Sequence, residues 1–334
     1  MLPLIEKHLL HHWSEILPDN SVPEKLHFLL SGEKAIKNKT ALVFAGNNPL
    51  PLLIIKIARS EYGAHFLETE FNALTHAFSA FKNKPGKINI PQPILFDYFG
   101  NDKALIETVV PGESLEATWG RLHEKAWQVA FNKELKTITG ILIELKKNLS
   151  VKNKDIHLTD FAQKSWEHFC SAYTPTTHEK ETFNRIVTSS LCKRQQKLPA
   201  VWLHGDFWIG NILQTSNDRL GLIDWEQTRD AGLPFWDLFF FITTATLYSP
   251  FAHWDKYPEQ GLATCFAAQS PVQHSIKQAI RHINSTINLP EEDLATLFHL
   301  FLLDMATFHF QEYGFVKKQD EIFRDSFPKD ITLL

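Results

Sequence analysis

The sequence has 334 residues, of which 44% are hydrophobic and 22% are charged, a composition typical of a globular protein with a sizeable buried core. Its formal net charge is −4 at pH 7 and its basic residues are scattered, which argues against nucleic acid or an anionic membrane as a partner. The three cysteines, Cys170, Cys192 and Cys265, have no CxxC or Cys/His spacing. This argues against a disulfide framework or structural zinc and is typical of a reducing compartment.

The amino-terminal segment and the longest apolar stretches do not have the pattern of export or membrane signals. MLPLIEKHLLHHW contains charged residues where a signal peptide needs an unbroken apolar region. The stretches 233–248 and 298–310 are interrupted by Asp237 and Asp304, and both are shorter than a membrane span of about 20 residues. We therefore expect a cytoplasmic protein.

The first third of the chain predicts strands, one helix and then further strands. Branched residues dominate TALVFA (40–45) and PLLIIKIAR (51–59), and the turn-rich linker between them predicts an antiparallel hairpin. Segment 63–81 repeats its apolar residues with a helical period. ILFDYF (94–99) and ALIETVV (104–110) predict two more strands, joined by a Gly-Asn-Asp turn.

From residue 111 onward the pattern changes to amphipathic segments of helix length. The predicted helices are 121–148, 159–172, 178–196, 271–287 and 290–313. Two strand-like pieces interrupt them, AVWLHG (200–205) and ILQTSNDRLGLIDW (212–225), and the second predicts a hairpin around Asn217 and Asp218.

This change of pattern predicts an α+β fold with two lobes. We expect a small amino-terminal lobe of sheet and one helix over residues 1–107. A larger, mostly helical lobe is expected over residues 114–334, and residues 108–113 connect the two.

The stretch LHGDFWIGNILQTSNDRLGLIDWE (203–226) contains two carboxylates in apolar surroundings, where an unpaired charge is costly. HGDxxxxN is followed, 13 residues after Asn211, by Asp224 of IDW. An amide and a carboxylate are oxygen ligands that Mg²⁺ accepts when it binds with a nucleotide. The first carboxylate, Asp206, can then accept the proton of a hydroxyl group that attacks a γ-phosphate.

This order of motifs resembles the aminoglycoside phosphotransferase and choline kinase family, a branch of the protein-kinase-like fold. The resemblance implies a bilobal protein-kinase-like fold, ATP and Mg²⁺ as cofactors, and a small molecule with a hydroxyl group as acceptor. It implies that Asp206 is the catalytic base and that Asn211 and Asp224 are the magnesium ligands. It also implies that His204 supports the catalytic loop and that Asp237, in GLPFWDL, braces it.

The resemblance extends upstream of the catalytic motif. Lys56, in LLIIKIAR, matches the family's strand lysine, which holds the α- and β-phosphates. Glu70 matches the helix glutamate that orients this lysine, with Glu68 as the alternative. ALIETVVPGESL resembles the interlobe hinge, where backbone groups from Glu107 to Val109 would receive adenine.

One departure concerns the nucleotide loop, LLSGEKAIKNKTALVF (29–44), where the family has small residues and glycines. The only glycine in this stretch is Gly32. Two interpretations follow. The loop grips phosphate through Ser31, Gly32 and a side chain such as Lys37 or Lys39, or nucleotide binding is altered.

These residues have other interpretations besides a kinase site. His204 is also consistent with a core histidine, and isolated Asp206 and Asp224 would be solvated turn residues. A Ser-His-Asp hydrolase is disfavoured because the chain has no G-x-S-x-G motif. The altered loop motivates a catalytically silent, nucleotide-binding scaffold. A protein-modifying kinase is disfavoured because the chain lacks HRD and APE motifs.

The sequence leaves the acceptor open among aminoglycosides, choline or other amino alcohols, and sugar-like compounds. A cationic acceptor needs an acidic pocket, and the helical lobe offers Glu226, Asp304, Glu312 and a PEED run. Glu226 alone is equally consistent with contact to a cationic substrate and with a solvated side chain.

Overall fold

The computed structural model describes residues 1–31, 37–82, 88–149, 154–193, 197–215, 219–247, 249, 270–313 and 324. The chain divides into two compact units. The first unit comprises Met1–Glu113 and Asn211–Thr228, and the second comprises Ser114–Gly210 and Arg229–Leu334.

A five-stranded antiparallel sheet forms the main part of the first unit. Its strands are β1 (Leu26–Ser31), β2 (Asn38–Ala45), β3 (Leu53–Ala58), β5 (Pro93–Phe99) and β6 (Asp102–Thr108), and β4 (Ile88–Asn89) belongs to a separate sheet. The order across the five is β1-β2-β3-β6-β5. The predicted hairpin of residues 40–45 and 51–59 is confirmed, because β2 pairs with β3. The two strands predicted on either side of the Gly-Asn-Asp turn are also confirmed as β5 and β6.

The two faces of this sheet carry different side chains. Leu53, Ile55 and Ile57 of β3 are buried and point to one face, while Lys56 points to the other, since side chains alternate along a strand. Helices α1 (Leu2–His11) and α2 (Trp13–Ile16) supply buried residues to the core on the first face. Neither helix was predicted from the sequence.

Helix α3 (Glu61–Phe81) packs against the face that carries Lys56 and confirms the helix predicted for residues 63–81. Ser60 is its N-cap, and the Ser60 Oγ accepts the N–H of Gly63 at 3.2 Å. The buried residues of α3 recur at helical spacing and include one carboxylate, Glu70. Capping and apolar packing therefore fix a helix that carries a buried acidic group.

A second, smaller sheet completes the first unit. Strands β11 (Ile212–Gln214) and β12 (Leu220–Leu222) pair antiparallel, with Ile212 opposite Leu222. β12 also pairs in parallel with β4. These strands confirm the predicted hairpin, whose turn residues Asn217 and Asp218 lie outside the described residues.

The second unit is mostly helical in the part that the structure describes. Its helices are α4 (Leu115–Trp119), α5 (Glu124–Asn148), α6 (Leu158–Ala172), α7 (Thr177–Thr188), α8 (Ser190–Lys193), α9 (Trp236–Leu247), α10 (Gln273–Asn284), α11 (Glu291–Met305) and α12 (Phe308–Tyr313). The predicted helix over 178–196 is divided into α7 and α8, and the one over 290–313 into α11 and α12. The remaining predicted helices are found with small shifts at their ends.

Short strands and a central helix complete the second unit. β8 (Asp155–His157) pairs with β9 (Lys197–Pro199), and β10 (Val201–Leu203) pairs with β13 (Arg229–Gly232), while β7 (Glu113–Ser114) spans the point where the chain enters this unit. Every residue of α9 is buried and most of them are apolar, so this helix occupies the core. Among the described residues, no helix is long and apolar enough to cross a membrane.

We predict that Ser60→Ala lowers the free energy of unfolding by about 1 kcal/mol, because the first turn of α3 loses its side-chain cap. Chemical denaturation measures the change. Ser60→Asp should retain most of the stability, since aspartate also caps helices. Ser79→Ala, at an exposed serine of the same helix, is the matched control, and equal losses for both alanine variants would contradict the capping role.

Candidate active site

A buried lysine surrounded by carboxylates lies at the centre of the first unit. The Lys56 Nζ is 2.5 Å from Glu70 Oε1, 3.2 Å from Asp224 Oδ1 and 3.8 Å from Glu107 Oε1. Ile54 of β3 lies opposite Glu107 of β6, so Glu107 shares the sheet face on which Lys56 points. The structure therefore brings together three predicted residues, Lys56, Glu70 and Asp224, and adds the Glu107 side chain.

The helical period of α3 decides which glutamate reaches the lysine. Glu70 is fully buried and contacts Lys56, whereas Glu68 is exposed. Two residues along a helix turn a side chain by about 200°, so only one of the two can face the sheet. The structure thus selects Glu70 over the alternative that the sequence left open.

One ammonium group cannot balance three carboxylates, two of which are fully buried, and the pKa values in the cluster reflect this. Burial alone would lower the pKa of Lys56, but the charges of Asp224, Glu70 and Glu107 raise it well above its usual value. Burial raises the pKa of Glu70 to about 8, opposed by Lys56 and reinforced by Glu107 and Asp224. Burial likewise raises the pKa of Glu107. Lys56 is therefore held as a cation, while Glu70 and Glu107 bind a proton more readily than ordinary carboxylates do.

The two predicted magnesium ligands lie at the same end of the β11–β12 hairpin. Asn211 immediately precedes β11, and the Ile223 N–H donates to the Asn211 carbonyl oxygen at 3.1 Å. Asp224 follows directly and has a left-handed backbone, with φ of 67°. Few non-glycine residues adopt this conformation, which is costly unless neighbouring contacts hold it.

Oxygen atoms suited to a divalent cation converge beside this hairpin end. Carboxylate oxygens of Glu70, Asp224 and Glu226 lie within 4.8 Å of one another. The Oε2 atoms of Glu70 and Glu107 are buried, and within the described part of the chain neither has a hydrogen-bond partner. Hard oxygen donors of this kind fit Mg²⁺, which prefers carboxylate and carbonyl ligands.

The structure gives Glu226 a definite partner. The Lys37 Nζ lies 3.0 Å from Glu226 Oε1, and the Asn38 Nδ2 donates to Glu226 Oε2 at 3.5 Å. Glu226 is therefore neither an isolated solvated carboxylate nor an uncompensated charge. Of the other predicted loop residues, Ser31 is exposed at the end of β1, and Gly32 lies outside the described residues.

The predicted hinge follows β6, and part of its backbone is already paired. The Thr108 N–H donates to the Gln92 carbonyl, and the Val109 N–H donates to the Leu52 carbonyl, both at 3.0 Å. The Val109 amide proton is thus committed within the sheet. The Val109 carbonyl oxygen is the backbone group of this residue that is suited to accept a hydrogen bond from a ligand.

A separate group of predicted residues lies in the second unit, after β10. The Asp237 side chain accepts the backbone N–H of His204 at 2.9 Å and that of Gly205 at 3.1 Å. Gly205 has a φ of 84°, which glycine adopts without strain. The Asp206 N–H donates to His204 Nδ1 at 3.4 Å. Asp237 and His204 therefore hold the backbone from which the partly exposed Asp206 side chain extends.

The acidic residues suggested for a cationic acceptor are partly committed elsewhere. Asp304 of α11 accepts Arg229 Nη1 at 3.0 Å and Trp236 Nε1 at 3.2 Å. The side chain of Glu312 lies outside what the structure describes. Asp304 and Glu226 are both paired with basic residues, so neither offers an unbalanced charge to a ligand.

Two side-chain contacts of the first unit are not predicted from the sequence. Glu107 was expected to contribute only backbone, yet its side chain joins the Lys56 cluster. The signal was present in β6, where Leu105 and Glu107 share a face by strand alternation. The pairing of Lys37 with Glu226 joins residues far apart in the chain and has no local signal.

Comparisons with known proteins agree with these observations. The sequence pattern of the phosphotransferase enzyme family matches residues 53–264, more than half of the chain. No curated protein sequence matches the chain.

Solved structures of low sequence identity share its fold over nearly the whole length. APH(2″)-IIia in complex with GDP and kanamycin is 14% identical, with 96% of this chain and 98% of that chain covered and a TM-score of 0.54. The apo form of a thermostable mutant of aminoglycoside phosphotransferase APH(4)-Ia is 12% identical, with 97% and 100% covered and a TM-score of 0.53. Choline kinase LicA from Streptococcus pneumoniae is 14% identical, with 96% and 97% covered and a TM-score of 0.52. The likeness confirms the predicted α+β, protein-kinase-like fold class.

We predict that the stability difference between the wild type and Asp237→Asn depends on pH. Burial raises the pKa of Asp237 to about 6 from 3.8, despite the hydrogen bonds from His204 and Gly205 and the charge of Arg229. Between these values the native state holds a proton that the unfolded chain has released, so stability from this group falls as pH rises. The free energy of unfolding of the wild type, relative to that of the variant, should therefore rise by about 3 kcal/mol as the pH falls from 7 to below 4, at ~1.4 kcal/mol per pKa unit.

Urea denaturation at several pH values measures this difference. Asp230→Asn, at an exposed aspartate of β13, serves as the matched control. A difference between wild type and Asp237→Asn that stays constant from pH 7 to 4 would show that burial does not perturb this carboxylate.

Proposed function

The chain belongs to the phosphotransferase enzyme family, and we propose that it transfers the γ-phosphate of ATP to a hydroxyl group of a small molecule. The observation that carries this proposal is the cluster of Lys56, Glu70 and Asp224 in the first unit. A buried ammonium group held by fixed carboxylates is oriented before a ligand arrives, so little reorganisation is needed when phosphate binds. Phosphoryl transfer depends chiefly on such positioning and charge neutralisation.

Lys56 is proposed to bind the α- and β-phosphates of the nucleotide. Its ammonium group is held by Glu70 and Asp224, and these carboxylates would share its three donors with phosphate oxygens when the nucleotide binds. Adenine is proposed to contact the backbone between Glu107 and Val109, where the Val109 carbonyl is suited to the exocyclic amine. Ser31 and Gly32 complete the proposed nucleotide site at the end of β1.

Mg²⁺ is proposed to be held by Asn211 and Asp224. When bound with the nucleotide, the ion would neutralise charge on the phosphate oxygens. The fit is supported by the shared position of the two residues at the hairpin end and by the carboxylate oxygens of Glu70 and Glu226 close to Asp224. The left-handed backbone conformation of Asp224 costs free energy, and such a cost is consistent with a functional position.

Asp206 is proposed to be the catalytic base. Its carboxylate would orient the acceptor hydroxyl group and take the proton as the oxygen attacks phosphorus. The hydrogen bonds from His204 and Gly205 to Asp237 support this role, because they fix the backbone immediately before the reacting group. Positioned general bases contribute about 10²–10⁴-fold to rates.

The acceptor is proposed to be a polyhydroxylated or amino-alcohol small molecule. APH(2″)-IIia was solved with kanamycin, and LicA is a choline kinase, so the fold serves acceptors of both kinds. The pairing of Glu226 with Lys37 and of Asp304 with Arg229 gives no support to a cationic acceptor through these two residues. Neutral sugars therefore belong in the test beside the amines.

We predict that purified protein with ATP and Mg²⁺ consumes ATP faster in the presence of one member of an acceptor panel. The panel contains aminoglycosides, choline, amino alcohols and neutral sugars, and coupled detection of ADP measures turnover. Asp206→Asn should bind ATP as the wild type does and lose about 10²–10⁴-fold in turnover. Wild-type turnover in that variant would exclude Asp206 as the base. No acceleration by any compound, with ATP binding intact, would support a nucleotide-binding scaffold.

We further predict that Asp224→Asn weakens nucleotide binding only when Mg²⁺ is present. Replacing the carboxylate by an amide removes the charge that attracts the ion and preserves the size of the side chain. Calorimetric titration with ADP, once with Mg²⁺ and once with EDTA, separates the two contributions. Asp97→Asn, at an exposed aspartate of β5, is the control, and equal weakening in both buffers would refute the role of Asp224 as a metal ligand.

A further inference from the structure

We propose that Lys37 and Glu226 are positioning residues that hold Asp224 in the conformation needed for metal binding. This pair, termed the Lys37–Glu226 clamp, deepens the proposed function and rests on it. It lies in the first unit. Lys37 immediately precedes β2, and Glu226 follows Asp224 by two residues. Neither residue needs to touch the nucleotide in this role.

The loop around Asp224 is held on both sides. Before Asp224, the Ile223 N–H donates to the Asn211 carbonyl at 3.1 Å. After it, the Trp225 N–H donates to Glu70 Oε1 at 3.1 Å, and Glu226 is tied to Lys37. A left-handed non-glycine residue is retained only where the surroundings over-determine it. The clamp is therefore one of the contacts that hold the φ of 67° at Asp224.

Lys37 is itself fixed from three directions. Its Nζ lies 3.6 Å from the centroid of the Phe66 ring, which is a cation–π contact with α3. Its carbonyl oxygen accepts the Arg59 N–H at 3.0 Å. A Cβ atom at Gly63 would come within 2.3 Å of that oxygen, so only glycine lets α3 approach so closely. This packing makes Lys37 a rigid anchor rather than a flexible surface lysine.

The charges explain why the anchor is an ion pair. Glu226 lies close enough to Asp224 for like-charge repulsion to disfavour the arrangement. Lys37 offsets that repulsion by pairing with the second carboxylate, whose Oε1 lies 3.0 Å from the Lys37 Nζ. Removing either partner of a mostly buried pair leaves an uncompensated charge, which is more disruptive than loss of a surface ion pair.

The test measures metal binding directly in the full-length protein. Mn²⁺ is titrated into protein with ADP and followed by electron paramagnetic resonance, and ADP binding is measured separately in EDTA. Lys37→Met and Glu226→Gln should each weaken Mn²⁺ binding by about tenfold or more, the effect of losing outer-shell partners at metal sites. Both should leave ADP binding in EDTA unchanged, and Lys37→Arg should restore most of the metal affinity.

Lys25→Met, at an exposed lysine before β1, is the control for loss of a positive charge. A lower melting temperature with unchanged Mn²⁺ affinity in both clamp variants would overturn the proposal, because the pair would then be only structural. Weaker ADP binding in EDTA for Lys37→Met alone would also overturn it, because Lys37 would then contact phosphate. Wild-type protein that binds no Mn²⁺ with ADP would refute the proposed function, and the clamp with it.

Gly63→Ala provides a second test that changes neither charge. A methyl group there would displace the Lys37 backbone and should weaken Mn²⁺ binding in the same direction as Lys37→Met. Gly140→Ala is the matched control, since a Cβ at this helical glycine meets nothing within 4 Å. Unchanged Mn²⁺ affinity in folded Gly63→Ala protein would count against Lys37 as a rigid anchor.

Discussion

A single buried ammonium group organises the first unit. Lys56 points away from the apolar core of its sheet, and a charge in that position must be met by anions. α3 supplies one carboxylate, β6 another and the β11–β12 hairpin a third, so three elements from distant parts of the chain converge on one atom. Replacing Lys56 by a neutral residue would leave the three carboxylates without this cation in a poorly hydrated space. Local repacking could not relieve their mutual repulsion.

In the second unit, a buried carboxylate fixes the backbone of an irregular loop. The chain after β10 has no strand partner for the amides of His204 and Gly205, and backbone donors buried without partners are costly. Asp237, in the first turn of α9, accepts both. The position also suits the helix, because a negative charge near the amino end of a helix is favoured. One carboxylate thus links the geometry of the loop to the most deeply buried helix of its unit.

Much of this could be predicted from the sequence because the signals are local. The alternation around Lys56 and the helical period around Glu70 follow from short-range geometry, and the spacing of Asp206, Asn211 and Asp224 is a motif. What escaped prediction depends on contacts between distant segments. Neither Glu107 beside Lys56 nor Lys37 beside Glu226 can be read from neighbouring residues, because the register of β3 with β6 and the path of the loop after β12 decide them. Helix α1 is not predicted because it is short and only two of its residues, Ile5 and Leu9, are buried, so its apolar pattern is weak.

The return of residues 211–228 to the first unit has a consequence for how the protein is made. During synthesis the amino-terminal 113 residues emerge first, yet Lys56 then has only two of its three carboxylates, and β4 still lacks its partner β12. That unit is complete only after the first stretch of the second unit, Ser114–Gly210, and then residues 211–228 have followed. Domains commonly fold one after another as they leave the ribosome. Here the first unit to appear also includes a later segment, so its completion is coupled to the middle of the chain, and a fragment ending at residue 113 would lack the β11–β12 hairpin and Asp224.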